Sequence, residues 1–139
     1  MARPTVLLAE DHPDNAALLG DLLQTCFDVV GVVGDGLTLV SEARRLVPDV
    51  IVSDVGMPGL DGIEAARRIL ARTPDARVVL VSAHCDADIV ARSLAAGALD
   101  YVAKHAAGEQ LLPAIQAALS GERRESRAAP AGEAGPKPT

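Results

Sequence analysis

The stretch Val50 to Gly62, Val-Ile-Val-Ser-Asp-Val-Gly-Met-Pro-Gly-Leu-Asp-Gly, constrains this chain more than any other. Its β-branched start, Val50-Ile51-Val52, reads as a strand buried on both sides, and it delivers one carboxylate, Asp54, where the strand should stop. Met57-Pro58-Gly59 then forces a loop, because proline lacks an N–H and glycine tolerates positive φ. Asp61 stands as N-cap with Glu64 three residues on, a capping-box spacing that starts a helix. An acid at the carboxyl end of a strand, under a turn and ahead of a helix, sits where open α/β sheets bind ligands.

The rest of the chain repeats the alternation. Apolar runs at Thr5–Ala9, Val29–Val33, Arg77–Ser82 and Leu99–Ala103 are the other strand candidates. Between them lie helical stripes. The first follows Pro13 and carries Leu19, Leu22, Leu23 and Cys26, with Gly20 as a mild breaker. The second carries Leu37, Val40, Ala43 and Val47 and stops at Pro48; the third carries Ile63, Ala66, Leu70 and Thr73 and closes at Pro74. The fourth, capped by Asp86 or Asp88, carries Ile89, Val90 and Leu94 and ends at Gly97. The last carries Leu111, Leu112, Ile115, Ala118 and Leu119; Pro113 near its first turn either moves its start later or removes one hydrogen bond. Five strands alternating with five helices demand an α/β fold: a five-stranded parallel sheet with helices on both faces. From Glu122 onward no apolar period remains, and residues 122–139 read as a disordered C-terminal tail.

With 139 residues the chain fits one domain, and 1% aromatic content makes its core aliphatic. A net charge of −6 argues against direct nucleic-acid binding. Cys26 and Cys85 form no disulfide framework; Cys26 suits core packing, and Cys85 would be oxidisable if exposed. No stretch reads as a signal peptide or a membrane span, so a cytoplasmic location is expected. The glycines of Gly31 to Gly36 are in the wrong order for a dinucleotide-binding loop.

In a parallel sheet the strand ends share one edge. Glu10 and Asp11 after the first strand, Asp54 after the third, Ser82 after the fourth and Lys104 after the fifth must therefore meet. Three acids together repel and raise one another's pKa; a hard divalent cation such as Mg²⁺ relieves this. Lys104 can bind an anion and Ser82 adds a donor, so the cluster suits a phosphoryl group held near Asp54.

Four segments, Leu-Leu-Ala-Glu-Asp-His-Pro, Ser-Asp-Val-Gly-Met-Pro-Gly-Leu-Asp-Gly, Val-Ser-Ala-His and Gly-Ala-Leu-Asp-Tyr-Val-Ala-Lys, come in order and each at a strand end. Over residues 4–121 the chain thereby resembles the receiver domain of two-component response regulators. The resemblance implies a flavodoxin-like, CheY-like (βα)₅ fold and a phosphoacceptor that assists only its own phosphorylation and dephosphorylation, not an enzyme. It makes Asp54 the acceptor of a phosphoryl group from a sensor histidine kinase or phosphotransfer protein. It assigns Mg²⁺ to Asp11 and Asp54 directly, with Glu10 through water and the Gly56 backbone carbonyl as a further ligand. Lys104 would pair with the phosphoryl oxygens, Ser82 would swing toward them, and Tyr101 occupies the switch-aromatic position. His84, two residues after Ser82, and Gly56, two after Asp54, hold positions that in the family tune the lifetime of the phosphoryl group. For His84 the other reading is an exposed loop histidine; His12 and His105 read as surface residues.

Glu10 replaces the more usual Asp and His105 stands where many receivers have proline, both familiar in the NarL/FixJ-type (LuxR-type) branch, whose members usually carry a helix-turn-helix DNA-binding domain after the receiver. The expectation is a stand-alone receiver or the receiver part of a truncated regulator. A homodimer or output partner would use the face of the fourth helix, fifth strand and fifth helix, with no membrane contact. An Asp-nucleophile phosphohydrolase of haloacid-dehalogenase type is the rival from another class; it needs a second Asp two residues after the nucleophile, where this chain has Gly56.

Overall fold

Runs of valine, leucine and isoleucine that are apolar on every residue form strands where both faces are covered, and the computed structural model shows this for the first, third, fourth and fifth runs, whereas in the second, at the sheet edge, Val30 and Val32 are exposed. It describes residues 3–84 and 86–121; the expected tail at 122–139 and Cys85 lie outside them. The chain runs β1 (Thr5–Ala9), α1 (Pro13–Gln24), β2 (Asp28–Val33), α2 (Gly36–Leu46), β3 (Val50–Asp54), α3 (Gly62–Arg72), β4 (Val78–Ser82), α4 (Ala87–Ala95), β5 (Asp100–Ala103), a 3₁₀ turn (Lys104–Ala106) and α5 (Ala107–Leu119). All strand pairs are parallel, in the order β2-β1-β3-β4-β5. The one irregularity is between β1 and β2, where Val6 pairs with Val29 but Leu7 with Gly31, leaving Val30 as an extra residue. This is the flavodoxin-like doubly wound order. Its switch point lies between β1 and β3, where successive connections leave in opposite directions.

Side-chain alternation along the strands splits the interior into two cores. Val6, Leu8, Val50, Val52, Val79 and Val81 face α1 and α5, where Leu19, Leu23, Leu111 and Ile115 cover them. Leu7, Ala9, Ile51, Val78 and Leu80 face the other way, under Leu39, Ile63, Ala66 and Ile69. Cys26 packs against the first core as expected.

Two helical expectations need correction. In α2 the buried residue is Leu39, while Leu37 and Val47 are exposed. Asp35 caps the helix by accepting the Thr38 N–H at 2.8 Å, which fixes its phase one residue away from the stripe expected. Pro113 lies inside α5, whose start at Ala107 is six residues earlier. Interior proline costs a helix about 3 kcal/mol. Burial of Ala107, Leu111, Ala114, Ile115 and Ala118 along the same helix offsets that cost, and Pro113 itself faces solvent.

Two backbone details fix the strand end that bears Asp54. Gly62, first residue of α3, donates its N–H to the Val55 carbonyl at 2.8 Å. A Cβ at Gly62 would lie 2.1 Å from the Asp54 carbonyl oxygen, so α3 seats flush on the end of β3 only with glycine there. Asp61 accepts the Glu64 N–H at 2.8 Å, completing half of the expected capping box, while the Glu64 carboxylate turns to Arg67 and Arg68.

At the opposite sheet edge, Val47 ends α2 with φ of 47°. A β-branched residue there is strained, and Pro48 restricts it further.

Gly62→Ala should therefore destabilise the protein by about 1–3 kcal/mol, the usual cost of overpacking, measured by urea unfolding. Val47→Asn, which tolerates the left-handed conformation and surrenders little burial, should stabilise it by roughly 1 kcal/mol in the same assay.

Candidate functional site

β1 and β3 are neighbours at the switch point, and each ends in acid. Glu10 continues β1 by one residue, its N–H bonded to the Val33 carbonyl at 2.9 Å, and its side chain is wholly buried. Asp11 follows at the surface. Asp54 closes β3 and is itself buried. One carboxylate oxygen from each of Glu10, Asp11 and Asp54 lies within 4.8 Å of the others.

Lys104 reaches this cluster from the 3₁₀ turn after β5. Its Nζ stands 2.8 Å from Glu10 Oε1 and 3.3 Å from Asp54 Oδ2. The ammonium is thus shared by two acids from two strands. The other Glu10 oxygen accepts the His12 N–H at 3.1 Å.

The electrostatics follow from this crowding. Burial pushes the Asp54 carboxyl above the usual range, the charges of Glu10 and Asp11 push the same way, and Lys104 only partly opposes them. For Lys104, burial acts to lower the pKa, but the close contact with the Glu10 carboxylate and the charges of Asp54 and Glu10 outweigh it and leave the ammonium firmly protonated.

Ser82, buried at the end of β4, accepts the His84 N–H through Oγ at 3.0 Å. The Tyr101 hydroxyl donates to the His84 carbonyl, and its ring is almost fully buried in β5. One peptide residue, His84, is therefore held by both. The His84 side chain is exposed in the β4–α4 loop, as are His12 and His105 elsewhere. Gly56 is exposed in the loop after β3, with no atom within 4 Å of a Cβ built there.

Glu10, Asp11, Asp54 and Lys104 thus meet at one sheet edge, Ser82 ends the neighbouring strand, and Tyr101 lies inside β5 and reaches the β4–α4 loop through its hydroxyl. Two arrangements were not foreseen: the short Glu10–Lys104 pair, and the His84 backbone as the common partner of Ser82 and Tyr101. The acid-then-lysine pattern signalled the first without saying which acid the lysine would choose; side-chain reach decides that. Nothing in the sequence signals the second.

Three oxygen donors at this spacing, one of them from the exposed Asp11, fit a hard divalent cation. Among the described residues no helix is long and apolar enough to cross a membrane.

Residues 6–116 match the family model described as the response regulator receiver domain. The chain is 33% identical over 120 residues to the response regulator UvrY of Escherichia coli, covering 85% of this chain and 55% of that protein. It is 37% identical over 127 residues to the transcriptional regulatory protein LiaR of Bacillus subtilis, covering 89% and 60%. The chain therefore spans little more than half the length of these relatives. A crystal structure of a LuxR-family two-component response regulator from Aurantimonas sp. superposes with a TM-score of 0.84 at 30% identity, covering 88% of this chain and 89% of that one. With the acid cluster at the β1/β3 switch point and the family match over nearly all of the described chain, the protein belongs to the response regulator receiver domains, phosphoacceptors of two-component signalling, and its relatives are of the NarL/FixJ (LuxR) type.

Proposed function

We propose that residues 4–121 are a phosphoryl-accepting switch in which Asp54 takes the phosphoryl group from a histidine kinase or phosphotransfer protein. The observation that carries this reading is the position of Asp54: buried, with Lys104 Nζ 3.3 Å away and two further acids close by. In the transfer an Asp54 carboxylate oxygen forms a bond to phosphorus as the phosphorus–nitrogen bond to the donor histidine breaks. Lys104 supplies a positive charge for the phosphoryl oxygens, which carry more negative charge than the carboxylate alone. Ser82, with its hydroxyl proton uncommitted to the His84 N–H that it accepts, can donate to the same oxygens.

Asp11 and Asp54 would hold Mg²⁺, with Glu10 through water and the Gly56 carbonyl as a further ligand. Bound there, the ion would neutralise charge on the acids and on the transferring oxygens. His84, whose residue is exposed in the β4–α4 loop, would meet solvent approaching the phosphoryl group and modulate its lifetime. Tyr101 and Ser82 would report the phosphoryl state to the face of α4, β5 and α5 through the His84 peptide, where a second copy or an output partner would bind. In a longer regulator of NarL/FixJ type that output would be a helix-turn-helix domain; the relatives' length favours this second reading.

Asp54→Asn should abolish labelling by acetyl phosphate in the presence of Mg²⁺, and full labelling of that variant would sink the reading. The same variant has a signature without metal. Because the folded-state pKa of Asp54 is raised, the native chain holds this proton more tightly than the unfolded chain does. Stability conferred by that proton is present below the unfolded value and is lost as pH rises through the raised one. In EDTA, wild-type Tm should fall relative to Asp54→Asn as pH climbs from the ordinary carboxylate range toward neutrality, leaving the variant the more stable at pH 7.

A further inference from the structure

Lys104 is one of only two lysines in the chain, with Lys137, and the only one among the described residues. The distances of its two ion pairs separate its two acid neighbours. Charged N–H···O bonds lie at about 2.7–2.9 Å when strong; the contact with Glu10 is 2.8 Å and that with Asp54 is 3.3 Å. Glu10 is also the better anchored of the two. Its side chain is 0% exposed, its backbone N–H is tied to β2, and its second carboxylate oxygen accepts the His12 N–H at 3.1 Å. An anchored, buried partner loses little entropy in holding the flexible lysine, so the ammonium's position follows Glu10.

We propose that Glu10 is the positioning residue for Lys104: its carboxylate is the ammonium's resident partner, and the length of its side chain sets how readily Lys104 is given up to a group on Asp54. This goes beyond a role for Glu10 toward a metal and rests on Asp54 being the phosphoryl acceptor. A phosphoryl group on Asp54 recruits the ammonium against a standing short ion pair. The extra methylene of glutamate over aspartate is what lets the end of β1 reach the lysine after β5. Shortening the arm loosens that hold while keeping the negative charge.

Two measurements test this. In metal-free protein labelled with ¹⁵N-lysine, only two side-chain ammonium signals exist, and proton exchange at Lys104 reads its hydrogen bonding without any phosphoryl chemistry. Glu10→Gln, which keeps the shape, should speed that exchange about tenfold, the worth of one charged hydrogen bond, and Asp54→Asn should speed it less. A larger effect from Asp54→Asn overturns the proposal. At saturating Mg²⁺, Glu10→Asp should bind beryllofluoride several-fold more tightly than wild type, because less is broken when Lys104 turns to Asp54. Unchanged or weaker binding also overturns it. Wild-type protein that binds no beryllofluoride would instead remove the phosphoacceptor reading, with the exchange data still deciding the role of Glu10.

Discussion

The mutual repulsion of Glu10, Asp11 and Asp54, held in check by one ammonium, is the interaction on which the rest of this structure turns. Glu10 and Asp54 are placed by main-chain structure that has no freedom to retreat. Glu10 is hydrogen-bonded into the β1–β2 ladder and Asp54 closes β3, where Gly62 presses against its carbonyl. The fold thus holds like charges close in a partly desolvated place, where their interaction is stronger than in water. The cost is local and appears as the raised affinity of Asp54 for a proton. A site under that tension responds to any cation or charge change brought to it, which is what a switch requires.

Rigidity behind the site comes from the two aliphatic cores. Strands apolar on both faces cannot slide or twist independently of five covering helices, so the carboxyl ends of β1, β3 and β4 keep their spacing. The α2 and α3 side adds a second brace. Gly36, at the start of α2, lies so close to Leu60 in the loop after β3 that a Cβ there would sit 2.1 Å from the Leu60 carbonyl oxygen. The loop beyond Asp54 is therefore clamped from below by Gly62 and from the side by Gly36.

This explains what could be read from the sequence. The runs of β1, β3 and β4 were legible because burial on both faces leaves no polar alternation to confuse them, and acids at strand ends were legible because a parallel sheet brings those ends together by topology alone. The phase of α2 was not. Leu37, Val40 and Val47 make as good a helical stripe as Leu39, Val40 and Leu46, and only the Asp35 cap, with the close seat of Gly36, selects between them. Pro113 misled for a related reason: a local penalty is visible in sequence, whereas the six buried side chains that outweigh it belong to the tertiary packing of α5. The pairing of Lys104 with Glu10 depends on reach, which residue identity alone leaves open.

The His84 peptide ties the site to the surface by the same economy of parts. Ser82 Oγ accepts its N–H and the Tyr101 hydroxyl donates to its carbonyl, so the two residues expected to signal do not act on separate segments. If Ser82 turns its oxygen toward a phosphoryl group on Asp54, either the His84 N–H follows or that hydrogen bond is lost. The carbonyl of the same residue must move with it, and with the carbonyl moves the group that holds the Tyr101 hydroxyl in place. Coupling between Asp54 and the β5 face then needs no long relay. It needs one residue whose backbone donor and acceptor are both in use, at the point where β4 gives way to the loop.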